Sequence, residues 1–214
     1  RDTGRAPMNR RDLVFTEDEL RLIGDEQFFL QKARIMKKVR ALLDGLYAGL
    51  QSDVAHVHLL APPSFSLEKY QFVKGEHLED YPYQYLDFPK HFEDDEKFTF
   101  RSLFWWGHHF VFAMIVEGRT LFQCKQNLIN RNHQAAGQDT HLWLSPSPWE
   151  WKRGEGYTLP VAHDRKSEVA AVLGGRRFFK LCRFVRHDDA VVTGGGLIET
   201  GRETFQSILP AITP

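Results

Sequence analysis

The sequence predicts an α+β fold, a mostly antiparallel sheet covered by a long N-terminal helix and a mid-chain helix. Three observations predict it. Apolar residues recur at helical spacing near the start of the chain, and the middle is a dense run of aromatic and β-branched residues divided by Gly107. Strands then follow without the regular helix-strand alternation of a doubly wound parallel sheet. The 214 residues are enough to bury a continuous core without disulfides or a structural metal. With 42% hydrophobic and 26% charged residues, the chain is neither disordered nor membrane-like in composition.

In chain order, residues 1–15 are expected to be a mobile N-terminal segment and 16–214 a single α+β domain. Met8 is a candidate initiator, which would make Arg1 to Pro7 upstream sequence. Thr16 and Glu19 fit a capping box, so a short helix starts near Glu17 and stops at Gly24. From Asp25 the residues Phe28, Phe29, Ile35, Met36, Val39, Leu42, Leu43, Leu46, Tyr47 and Leu50 mark the longest helix, expected to pack on the sheet. Leu60 to Pro89 contains Pro62, Pro63, Gly75, Pro82 and Pro89, and reads as a long covering segment with one strand near Tyr70 to Val73.

Lys97 to Trp106 and His108 to Glu117 read as either one bent long strand or two paired strands around a tight turn at Gly107, and their apolar residues on both faces place them at the centre of the sheet with Trp105 or Trp106 buried. Arg119 to Asn130 is helical, with Leu121, Cys124, Leu128 and Ile129 on one face. His141 to Leu144 and Trp149 to Lys152 alternate as strands do. A short helix between Glu168 and Leu173, a strand from Arg176 to Val185, and a last helical turn or two from Thr204 to Leu209, ended by Pro210, complete the chain.

Lys+Arg and Asp+Glu each number 28, so no overall field draws in nucleic acid or an anionic membrane. Lys32, Arg34, Lys37, Lys38 and Arg40 are read first as the wet face of a helix, and as a nucleic-acid surface only in a third reading. No run reaches the roughly 20 apolar residues of a membrane span, and Arg1 to Arg11 lacks the apolar stretch of a secretion signal. Cys124 and Cys182 read as buried thiols in a reducing compartment, and the expected location is cytoplasmic. No Cys-x-x-Cys, His-Glu-x-x-His, Gly-x-Ser-x-Gly or dinucleotide fingerprint occurs, and Gly194 to Gly196, Gly201 and Arg202 lack the Lys-Ser/Thr of a phosphate loop. No cofactor is assigned.

His56 and His58 share a face if extended, but no third metal ligand accompanies them. His108 and His109 face opposite sides of a strand unless Gly107 bends it. No metal is assigned to either pair. Tyr85, Asp87 and His91 on the tyrosine-rich segment, with Arg101, Trp105, His108 and His109 on the aromatic element, form the candidate ligand-binding set. A carboxylate, imidazoles and a guanidinium beside aromatic walls are the usual groups of a small-molecule pocket. In a hairpin turning at Gly107, Arg101 and Glu117 lie toward the far end.

The run from Tyr83 to Phe92, YQYLDFPKHF, and the run from Phe100 to Phe110, FRSLFWWGHHF, resemble a group of bacterial proteins of Bacteroidetes type without assigned activity. The order of elements is also similar to the YktB-like family, which shares a long early helix and an aromatic His-Phe-Val-Phe type strand. Both resemblances imply an α+β fold, and neither implies an activity. The first functional reading is therefore a small-ligand-binding or interaction protein with an aromatic-lined cleft. The second is a small hydrolase or transferase using His91 or His108 as base, Asp87 to orient it and Arg101 to clamp an anion.

Overall fold

A computed structural model of the protein describes residues 13–214. The expected mobile segment 1–15 lies outside the described residues up to residue 12, as does Met8. By its contacts the chain divides into two compact units, Arg1–Lys38 and Val39–Pro214.

In the first unit, α1 (Glu17–Ile23) carries the expected capping box: Thr16 Oγ1 accepts from the Glu19 amide, and the Thr16 amide donates to Glu19 Oε2 at 2.7 Å. Gly24 ends it. α2 spans Glu26–Val54. Of the expected packing stripe, Phe28, Phe29 and Ile35 are exposed while Met36 is buried, and within the second unit Val39, Leu43, Leu46, Leu50 and Val54 are buried.

The second unit is built on a seven-stranded sheet in the order β1-β2-β3-β4-β7-β5-β6, with every neighbouring pair antiparallel. β1 (Gln71–Leu78), β2 (Tyr81–Glu93), β3 (Glu96–Trp105) and β4 (His109–Glu117) form a meander. Glu79 and Asp80 both take positive φ in the first turn, as a two-residue hairpin requires. Gly107, at φ 75°, supplies the same freedom in the β3–β4 turn. β7 (Phe178–Arg186) pairs with β4, followed by β5 (His141–Trp143) and β6 (Thr158–Pro160). The aromatic element is central, as its two apolar faces predict, and Trp105 is 2% exposed.

The stretch Tyr81 to Pro89 is strand, not covering loop. The two prolines that argued otherwise occupy positions without a ladder partner. Pro82 faces the register shift between Gly75 and Leu78, and Pro89 lies in a bulge where Phe88 and Pro89 stand opposite the single Phe100. Trp149 to Lys152, expected as a strand, has no regular structure, and β6 takes the edge instead.

α3 (Leu121–Asn130), α4 (Asn132–Ala135), α5 (Lys166–Gly174), α6 (Ala190–Thr193) and α7 (Leu197–Ile212) complete the unit. α7 begins seven residues earlier than expected and does not stop at Pro210. Donors from outside the helix serve its last carbonyls: Arg131 Nη1 donates to Pro210 O at 2.9 Å, and Asn127 Nδ2 to Thr213 O at 2.7 Å.

On one face of the sheet, Leu86, Phe88, Phe98, Phe100, Phe112 and Met114 pack against α2 and α7. On the other, Leu103, Trp105, Val111, Ala113, Ile115, Cys182 and Phe184 meet Trp143 of β5 and Trp151 from the chain beyond it. Cys124 and Cys182 are free and buried, and burial pushes their thiols up to about 12 and about 11. Among the described residues no helix is long and apolar enough to cross a membrane.

Candidate functional site

The second face of the sheet carries charge where its neighbours are apolar. Asp87 and Arg101 are direct cross-strand partners, so one face receives both side chains. Arg101 Nε donates to Asp87 Oδ1 and Nη2 to Oδ2, each at 2.7 Å, and the carboxylate is fully buried. This bidentate geometry fits the planar guanidinium. Its carbon lies 3.7 Å over the Tyr85 ring and 5.0 Å and 5.7 Å from the rings of Trp149 and Trp151.

Lys180, wholly buried, shares this face. Across the sheet, Thr99 pairs with Ile115 and Ile115 with Lys180. The ammonium sits 3.9 Å over Trp143 and 3.6 Å over Trp151, and donates to the carbonyls of Pro148 at 2.9 Å and Glu150 at 2.6 Å. Burial lowers its pKa to about 8, and the Arg101 charge pushes the same way. The Thr99 hydroxyl, buried on this face, has no hydrogen-bond partner. The covering segment is held by Trp143 Nε1 donating to Ser147 O and Ser145 Oγ donating to Glu150 Oε2. Its carbonyls therefore serve a lysine, where a strand's would serve a neighbouring strand.

Of the predicted set, Tyr85, Asp87 and Arg101 converge. Trp105, His108 and His109 form a separate cluster at the Gly107 end, four residues along β4 from the Arg101 row, or roughly 13 Å. There His108 stacks on Trp105 at 3.7 Å, while Trp105 Nε1 donates to Leu78 O. His109 Nε2 donates to Trp151 O at 3.2 Å, and burial lowers the pKa of this ring to about 4. His91 lies on the opposite face. The bulge inverts the parity of β2, so that Lys90 rather than His91 follows Asp87 toward the charged face. Asp87 thus orients neither histidine, as the hydrolase or transferase reading requires. Its oxygens are both engaged by Arg101.

Sequence reasoning missed Lys180, Thr99, Trp143, Trp149 and Trp151. The one available signal was a lysine inside the apolar run Phe178-Phe179-Lys180-Leu181-Cys182, at the parity of Cys182. Arg101 does not reach the far end of the hairpin. That position is taken by Lys97, whose Nζ lies 2.6 Å from Glu117 Oε2.

His56 and His58 are exposed beyond α2, and neither they nor His108 and His109 belong to a three-ligand group among the described residues. His91, Glu93 and Glu96 do form one, with ligand atoms within 4.8 Å of one another.

No protein-family model, curated protein or solved structure matches the chain. Any functional reading therefore rests on the chemistry of these residues.

Proposed function

We propose that this is a small-ligand-binding protein, whose ligand is a flat organic anion held against Arg101 and Lys180 between Tyr85, Trp149 and Trp151. The observation that carries the reading is an imbalance of buried charge. Two cations, Arg101 and Lys180, stand on one face with a single wholly buried carboxylate, Asp87, and the part-buried Glu150 is the other anion acting on Lys180. A buried cation whose charge is incompletely offset is costly, and an incoming carboxylate or phosphate would reduce that cost. Asp87 engages only Nε and Nη2 of Arg101, so Nη1 is not used by the pair. The unpartnered Thr99 hydroxyl adds a polar contact, and the indoles supply flat walls. The two free, buried thiols agree with a cytoplasmic location for such a protein.

Arg101→Ala is a poor test, because leaving Asp87 buried and unpaired costs about 3–5 kcal/mol of stability by itself. Trp149, 39% exposed, can be removed with less damage. Tryptophan fluorescence of the full chain, titrated with benzoate, phosphate and neutral benzamide, provides the measurement. Saturable binding of an anion but not of benzamide is expected, weakened about tenfold in Trp149→Ala. No response to either anion, with no small molecule retained on the purified protein in native mass spectrometry, would remove the reading.

A further inference from the structure

We propose that the tip of the β2–β3 hairpin is a binding site for a divalent transition-metal ion, with His91 Nε2, Glu93 Oε2 and Glu96 Oε2 as its protein ligands. The backbone creates the arrangement. Beyond the bulge, His91 and Glu93 are two apart on β2 and share a face, and Glu96 is the cross-strand partner of Glu93. His91 Nε2 lies 3.8 Å from Glu93 Oε2 and 3.9 Å from Glu96 Oε2. Ligand atoms around an ion at about 2.1 Å stand roughly 3.0–3.4 Å apart, so small side-chain rotations bring the three atoms into coordination.

His91 is the observation that points to an ion. Its side chain is 1% exposed, yet neither Nδ1 nor Nε2 has a hydrogen-bond partner. Burying an imidazole with both nitrogens unsatisfied is unfavourable, and a metal bond satisfies Nε2. The carboxylates are held ready by other groups. Ser64 Oγ donates to Glu93 Oε1 at 3.0 Å, which leaves Oε2 on the histidine side. Arg119 Nε donates to Glu96 Oε1 at 2.5 Å and Nη2 to Oε2 at 3.2 Å, fixing the carboxylate as outer-shell partners of metal ligands do.

Asp94 and Asp95 complete a run of four acids at the tip, against the single guanidinium of Arg119, so the local field attracts cations. A cavity of about 530 Å³, lined by Glu93, Asp94, Asp95, Glu96, Gly118 and Arg119, leaves room for waters or an exchangeable ligand to complete the coordination. A histidine among the donors favours zinc over calcium, which prefers oxygen alone.

Calorimetric titration of the chelator-treated full chain with Zn²⁺, and separately with Ca²⁺, tests the proposal. One equivalent of Zn²⁺ should bind with a Kd near or below about 1 μM. Both His91→Leu and Glu93→Gln should weaken it at least about tenfold. Glu93 is half-exposed at a hairpin tip, so Glu93→Gln keeps the test valid if His91→Leu fails to fold. Zn²⁺ binding that is absent, or unchanged in Glu93→Gln, overturns the site. So does a preference for Ca²⁺ over Zn²⁺, which would make the tip an oxygen-only acidic cluster.

Discussion

Lys180 is the least expected residue of the charged face, and pH is the means to test its state. A lysine at the middle of a strand, flanked by Phe179 and Leu181, keeps its charge through two carbonyls, two indole faces and the nearby Glu150 carboxylate. Burial holds its pKa at about 8, against 10.5 for a free side chain. Between those values the unfolded chain binds more protons than the folded one, so the contribution of Lys180 makes stability rise as pH increases from 8 to 10.5. Cys182 and Cys124 act the other way above about pH 9, because burial raises their thiols and the unfolded chain ionises first. Urea unfolding of wild type and Lys180→Met across this range isolates the lysine. The stability difference should move in favour of the wild type by on the order of 3 kcal/mol, and a flat difference would mean that the buried charge carries no penalty.

Among the elements, α7 shows how one missing side chain sets a packing distance. A Cβ on Gly201 would lie 2.8 Å from Phe112 and 2.9 Å from Leu46, both buried, whereas one on Gly174 at the end of α5 would meet nothing within 4 Å. Gly201→Ala should therefore cost about 1–3 kcal/mol despite the better helix propensity of alanine, while Gly174→Ala should be neutral or stabilising by up to about 1 kcal/mol. Thermal or urea unfolding of the two variants decides it, and equal effects would contradict the packing. The same residue shows why α7 was only half legible: a glycine weakens a helical pattern in sequence, and only the close approach of Phe112 and Leu46 explains it. The central place of β3 and β4 was legible because apolar residues on both faces have one explanation, burial on both sides, whereas one bent strand and a hairpin stayed alternatives. β2 was hidden because a proline's missing donor matters only where a ladder partner exists, and the register of β1 and β3 is not written in β2 itself. The site divided in the same way. Asp87 and Arg101 belong to adjacent strands and meet through direct pairing, whereas Lys180 reaches them only after β7 inserts beside β4.

Across the second unit as a whole, the two faces of the sheet are covered by unlike materials. Helices α2 and α7 close one, and residues 144–157, without regular structure, close the charged one. Lys152 to Gly156 are exposed, and Gly154 and Gly156 have nothing within reach of an added Cβ, so this cover has few contacts to hold its backbone. Hydrogen exchange should release the amides of 152–156 well before those of 110–116 in β4, and equal protection would show that the cover opens only with the sheet. The bulge at Phe88 and Pro89 meanwhile separates two lineages of change along one strand. Asp87 and His91 are four positions apart, yet they answer to different faces and share no partner, so a substitution at either leaves the other's surroundings in place. A change at the hairpin tip therefore leaves the partners of the charged centre in place.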